Sequence, residues 1–277
     1  MFLAPSLAHP RADFFVPSVT QTDLLSPHEP PAFRKIAAKT KRPFLLVSDH
    51  ASPRIPHSLK DLGLPESELS RHIGWDIGAA RVTELLAERL GAAAVLANYS
   101  RLILDLDRSP DHPHFIPEVS DGTLIPGNLN LTAQEKSARQ KLLYDPYHQA
   151  IAYELARIER YTPRALLISV HSFTPELRED GAPRPWHIDI MWKHDPSTAQ
   201  ALKKHLHKHT NWVIGDNEPY SLHVSQCHTI RQHAEEPERP ALMLEFRQDE
   251  IASESGARRY AQALGDFLES YQMEDGY

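Results

Sequence analysis

The chain alternates compact apolar runs with stretches of helical spacing. "PFLLVSDH", opening at Pro43, is a short apolar run that turns polar at its end, as a buried parallel strand leading into a loop does. "IGAARVTELLAERLGA" follows with apolar residues on one helical face and a stop signal at Gly91. "AAVLANYS" and "RLILDLDR" read as strands, and residues 109–130, punctuated by proline and glycine, as a long loop of functional length. Thr132, with Glu135 three residues on, caps a helix expected to reach Tyr161 and to split or kink at Pro146. "RALLISVHSF", "PWHIDIMWK", "WVIGDNEPY" and "PALMLEFRQDEI" read as further strands, and "STAQALKKHLHKH" and "SESGARRYAQALGDFLESYQ" as helices. Strands alternating with helices predict a three-layer α/β fold, a mainly parallel or mixed sheet with helices on both faces. Residues 41–277 read as one domain, and residues 1–40, rich in proline and without periodicity, as an N-terminal arm.

Composition narrows the function classes. A net charge of −7 argues against a nucleic-acid surface, and no apolar run is long enough to cross a bilayer, so neither partner is expected. The first residues lack a basic start followed by a sustained apolar core, so no signal peptide is expected. A single cysteine, Cys227, excludes an internal disulfide and fits a reducing cytoplasm. It also excludes a zinc finger, so a metal would need a His/carboxylate site. Seventeen histidines are the one unusual count, although His205, His207 and His209 fall in a surface-like helical tract.

Ligand sites in α/β sheets gather beyond the carboxyl ends of the strands. Those ends carry His50, His171 and Glu245, with Arg101, Arg108 and Arg247 at comparable rim positions. Hydrolytic zinc takes about three His or Asp/Glu ligands and keeps a position for water. Asp76, at the start of the first helix, is the third ligand expected, and His72 in the same turn competes with it. Glu245 is then the natural general base and acid, and the arginines suit a substrate carboxylate. Taken singly, each residue has a plainer reading. Asp76 is a helix cap, Glu245 pairs with Arg247 or Arg101, and a strand-end histidine is simply hydrogen-bonded. A serine hydrolase is the weaker alternative, because Ser48, Ser169 and Ser172 lie near histidines without a G-x-S-x-G elbow. No phosphate-binding loop is present.

In order, "LLVSDHASPRIP", "HIGWDIGAARV", "YSRLILDLDRSP", "LLISVHSFTP", "PWHIDIMWKHD", "GDNEPYS", "HTIRQHAE" and "ALMLEFRQDEI" resemble successive blocks of the N-formylglutamate amidohydrolase family. The resemblance runs from Phe44 to Ile251. It implies a phosphorylase/hydrolase-like fold and a zinc-dependent hydrolase, distantly akin to zinc carboxypeptidases. The implied substrate is a small acylated amino acid such as N-formyl-L-glutamate, cleaved to formate and the free amino acid during histidine breakdown. On this reading His50, Asp76 and His171 hold zinc, Glu245 moves the proton, and Arg101 stabilises the oxyanion or grips a carboxylate. Arg108, Arg247, His233 and Tyr220 then face the substrate. Two residues depart from the family pattern: Asp107 stands where asparagine is usual, and Leu222 where glycine usually follows "EPYS". Asp107 is expected to weaken the hold of Arg108 on an anion, and Leu222 to reshape the loop at Tyr220. Another acylated substrate, a peptide fragment included, and a non-catalytic ligand-binding relative are the alternatives.

Overall fold

The structure is a computed structural model, and it describes residues 24–178, 181–223 and 227–271. The first 23 residues of the expected N-terminal arm therefore lie outside the described residues. The strands are β1 (Phe33–Ile36), β2 (Phe44–Ser48), β3 (Ala93–Ala97), β4 (Val119–Ser120), β5 (Thr123–Leu124), β6 (Leu166–Phe173), β7 (Ile188–Met191), β8 (Ile214–Asp216) and β9 (Ala241–Arg247). The helices are α1 (Glu66–Leu69), α2 (Ala79–Leu90), α3 (Ala133–Arg139), α4 (Asp145–Ile158), α5 (Pro196–His209), α6 (His228–Ile230), α7 (Gln248–Ile251) and α8 (Glu254–Ser270).

Seven strands form one mixed sheet in the order β1-β3-β2-β6-β9-β7-β8, and β4 and β5 make a separate small hairpin. The four central strands β3, β2, β6 and β9 run parallel, while β1 pairs antiparallel with β3, and β7, antiparallel to β9, runs parallel with β8. Strand period divides the apolar residues between the two faces. Phe44, Leu46, Ile168 and Val170 pack with α2 and α8, whereas Leu45, Val47 and Leu167 pack with α4 and the loop after β3. Each half of the core thus needs a helix layer, which gives the three-layer α/β fold. Residues 33–36, inside the stretch read as an arm, supply the edge strand β1.

Two local features differ from the sequence reading. The helix expected from Thr132 to Tyr161 carries the predicted capping box, then widens to a π turn at Gln140–Tyr144 before α4. Pro146 explains the turn, because it lacks the N–H that a regular ladder requires and its ring would press on the carbonyl of Leu142. "RLILDLDR" is not a strand but a run of buried turns. Its carbonyls find side chains instead of a neighbouring strand: Asn128 Nδ2 donates to Leu102 O and Arg139 Nη1 to Ile103 O. Leu102, Ile103, Leu104 and Leu106 still enter the core, so the apolar run reported burial correctly and conformation wrongly.

Candidate active site

The parallel strands deliver their last residues to one rim. β2 ends at Ser48, with Asp49 and His50 immediately after it. In the β6–β9 pair His171 lies opposite Glu245, so both side chains emerge on the same sheet face, the one covered by α4. Asp76 arrives from the turn before α2, where its backbone N–H donates to His50 O at 2.9 Å. Gly78, in the left-handed region at φ 85°, is the N-cap of α2, which frees the Asp76 carboxylate from the expected capping role.

That carboxylate faces the histidines. Asp76 Oδ2 is 2.7 Å from His171 Nδ1 and 3.4 Å from His50 Nδ1, and the two rings meet edge-on at 5.0 Å. Among the described residues, His50, Asp76 and His171 are the group able to hold a metal ion: one ligand atom of each lies within 4.8 Å of the others, and all three residues are buried. Two imidazole nitrogens and one carboxylate oxygen are the donor set of a hydrolytic metal site. The electrostatics agree with a cation there. Burial opposes the charge of Asp76, yet His50 and His171 outweigh it and hold the carboxyl below its usual range. Burial likewise presses on His171, but Asp49 and Asp76 lift it well above an ordinary imidazole. His50 is raised too: burial and Arg101 oppose, and Asp105 and Asp76 prevail. His72 stands outside the group, with Nε2 at 3.3 Å from Asp121 Oδ2 and a pKa lowered to about 4, chiefly by burial.

Glu245 is partly buried, and its Oε2 is sealed from solvent without a hydrogen-bond partner. Burial pushes its carboxyl up to about 7, with Asp76 adding to the rise and His171 and Arg101 opposing it. Across β9, Glu245 lies opposite Asp189 of β7, a fully buried carboxyl that burial drives up to about 8. Gly215 makes room for Asp189, since a Cβ there would sit 2.6 Å from its Oδ1.

The cations divide into two sets. Arg101 spans the site, with Nη2 at 2.6 Å from Asp105 Oδ2 and Nη1 at 3.6 Å from Asp76 Oδ1. Half-buried Arg108 donates its backbone N–H to Asp105 O. Arg184, which the sequence reading did not single out, is 8% exposed and donates from Nη1 to Tyr220 Oη at 2.8 Å. Among the described residues it has no carboxylate partner, an unusual state for a buried guanidinium. Arg247 instead pairs with Asp249 and Glu250, and His233 Nε2 meets His148 Nδ1 at 2.9 Å in a buried stacked pair. The structure does not bring these last two to the metal-ligand group.

The two departures take concrete form. Asp107 Oδ1 accepts from Thr229 N–H at 2.9 Å, and burial together with Asp49 pushes its carboxyl up to about 6. Its carboxylate is thus engaged at the start of α6. Leu222 is buried in the core, and its N–H donates to Asn217 Oδ1 at 3.2 Å, so it anchors the loop after β8. Asp49, Asp105, Asp189 and Arg184 are the site residues that sequence reasoning missed. Asp49 was signalled only by standing next to His50, and Asp105 was hidden by the strand reading of its segment.

The sequence profile of N-formylglutamate amidohydrolase matches residues 42–252. The N-formylglutamate deformylase of Pseudomonas aeruginosa is 33% identical over 141 residues, 47% of this chain and 52% of that protein. That of Pseudomonas putida is 28% identical over 140 residues, 47% of this chain and 51% of its own. The chain thus spans about half the length of the curated relatives it matches. A gene product of Agrobacterium tumefaciens of known crystal structure shares 32% identity at a TM-score of 0.82, over 88% of this chain and 96% of that one. The N-formylglutamate amidohydrolase of Ralstonia eutropha JMP134 superposes at a TM-score of 0.67 over 86% of this chain and 96% of that one; at 17% identity the likeness is one of fold.

Proposed function

The chain belongs to the N-formylglutamate amidohydrolase family, and from that membership we infer that it hydrolyses the amide of an N-formyl or N-acyl amino acid in a zinc-dependent reaction. The observation that carries the reading is the convergence of His50, Asp76 and His171 beside Glu245, a base with one free buried oxygen. When bound to those three residues, the metal supplies Lewis acidity toward the acyl oxygen and acidity to water.

The chain's own residues account for the remaining steps. Glu245 takes the proton of the attacking water, whose oxygen bonds to the acyl carbon. As the C–N bond breaks, Glu245 returns that proton to the leaving amine nitrogen, giving formate and the free amino acid. A carboxyl at about 7 is poised for both directions of transfer near neutral pH. Arg101, held in place by Asp105, presents a partly exposed guanidinium to the developing oxyanion. Arg184 with Tyr220 provides a second anchor, a buried guanidinium suited to an acidic substrate. N-formyl-L-glutamate carries two carboxylates, and Arg184 is the cationic position suited to one of them. Arg247 and His233, held by their own partners, take no part in this reading.

The relatives' names support N-formylglutamate as the substrate. A lone cysteine supports a reducing cytoplasm, and no helix among the described residues is long and apolar enough to cross a membrane. The test is formate release from N-formyl-L-glutamate and a panel of N-acyl amino acids, with and without a chelator. Turnover that survives complete metal removal and is lost to a serine-directed reagent overturns the reading.

A further inference from the structure

Both histidines of the metal-ligand group present Nδ1 to Asp76, and each has its far nitrogen, Nε2, against a different buried carboxylate. His50 Nε2 is 2.7 Å from Asp105 Oδ1, and His171 Nε2 is 3.0 Å from Asp49 Oδ2. The arrangement is crosswise. Asp49 adjoins His50 in the chain yet serves the histidine of the neighbouring strand, while His50 is served by the loop after β3.

We propose that Asp49 and Asp105 are positioning residues that fix both histidines as Nδ1 metal ligands, with the proton of each ring kept on Nε2. The inference rests on the reading that a metal ion occupies this group. An ionised carboxylate only accepts hydrogen bonds, so Nε2, facing Asp105 or Asp49, carries the hydrogen, while Nδ1, facing Asp76, gives up its proton when a metal ion joins that carboxylate. Both carboxylates are acceptors throughout, with hydroxyl, amide and guanidinium donors on their oxygens. Each is also fastened by further hydrogen bonds. Asp49 Oδ1 accepts from Thr229 Oγ1 at 2.9 Å, and its Oδ2 accepts from Ser169 Oγ at 3.1 Å. Asp105 Oδ1 accepts from Asp107 N–H at 3.0 Å, and its Oδ2 accepts from Arg101 at 2.6 Å. The rings are thereby aimed before any ion arrives, and the basicity of Nδ1 is raised by the negative charge behind it. Asp105 has a second consequence: the guanidinium of Arg101 and the imidazole of His50 share one anchor, so a change at Asp105 disturbs both.

The decisive measurement is a long-range proton–nitrogen spectrum of the full-length, zinc-loaded protein with 15N-labelled histidine. We expect two rings with zinc on Nδ1 and hydrogen on Nε2, assigned by His50→Gln and His171→Gln. Zinc on Nε2 of either ring overturns the proposal and leaves the functional reading intact, whereas a protein that takes up no zinc at this group overturns both. Zinc affinity by chelator competition is the second readout, with Asp49→Asn and Asp105→Asn each weakening it by about 10–100-fold. Unchanged affinity in both folded variants overturns the positioning role. If the variants fail to fold, the wild-type spectrum decides alone.

Discussion

Glu245→Gln removes the proposed base while keeping side-chain size and the β6–β9 register, so its effect isolates proton transfer. The wild-type carboxyl is pushed up to about 7 by burial, with Asp76 adding and His171 and Arg101 opposing. Such a group is about 9% ionised at pH 6 and about 91% at pH 8, a rise of about tenfold, whereas an unshifted glutamate is almost fully ionised across that window. The step needs the carboxylate, so kcat/KM should climb about tenfold from pH 6 to pH 8. Loss of the base should lower kcat by about 10²–10⁴-fold and flatten that limb of the profile. The assay is formate release across this range at constant ionic strength, with metal content measured on both proteins. A metal-replete variant keeping more than about a tenth of wild-type kcat would refute the assignment, as would a flat wild-type profile.

Three further outcomes follow from the geometry. Arg184→Ala should raise KM for a dicarboxylate substrate by about tenfold or more with kcat little changed, as steady-state kinetics will show, because it removes a charge-assisted anchor and leaves Glu245 in place. Asp189, with a folded pKa of about 8 against a reference of 3.8, binds its proton more tightly in the folded state. Its contribution to stability is therefore full below the reference value and declines as pH rises toward 8, by about 1 kcal/mol per unit, and Asp189→Asn should flatten denaturant-measured stability over that window. Gly215→Ala would bring a Cβ to 2.6 Å from Asp189 Oδ1; thermal and denaturant unfolding should show a loss of about 1–3 kcal/mol.

The central strands and the ligand trio were legible because burial and chemistry coincide there. "FLLVS" and "LLISVHSF" are buried on both faces, and a histidine that falls in or follows such a run stands out. Glu245 was legible for the same reason. The loop after β3 was not, because its backbone is satisfied by Asn128 and Arg139, residues 26 and 36 positions beyond the carbonyls they bind. Apolar periodicity carries no trace of such distant partners. Arg184 was hidden in a proline-rich stretch without periodicity, and only its burial beneath Tyr220 gives it meaning. The split at Pro146 was foreseen, but its form as a π turn depends on how α3 and α4 pack together.

The register of β6 against β9 has a consequence for folding order. His171 and Glu245 share a face only when Leu167 pairs with Ala241 and every later pair follows. A slip of one residue would turn His171 into the α2 layer and dissolve the ligand group. The strands that must align are separated by the whole of β7, α5, β8 and α6, so their pairing closes a long stretch of chain. A metal ion taken up at this group would thereby be confined to molecules whose central sheet has already zipped in register. The rate at which refolding protein acquires its ion should report completion of that sheet rather than the earlier collapse of the helices.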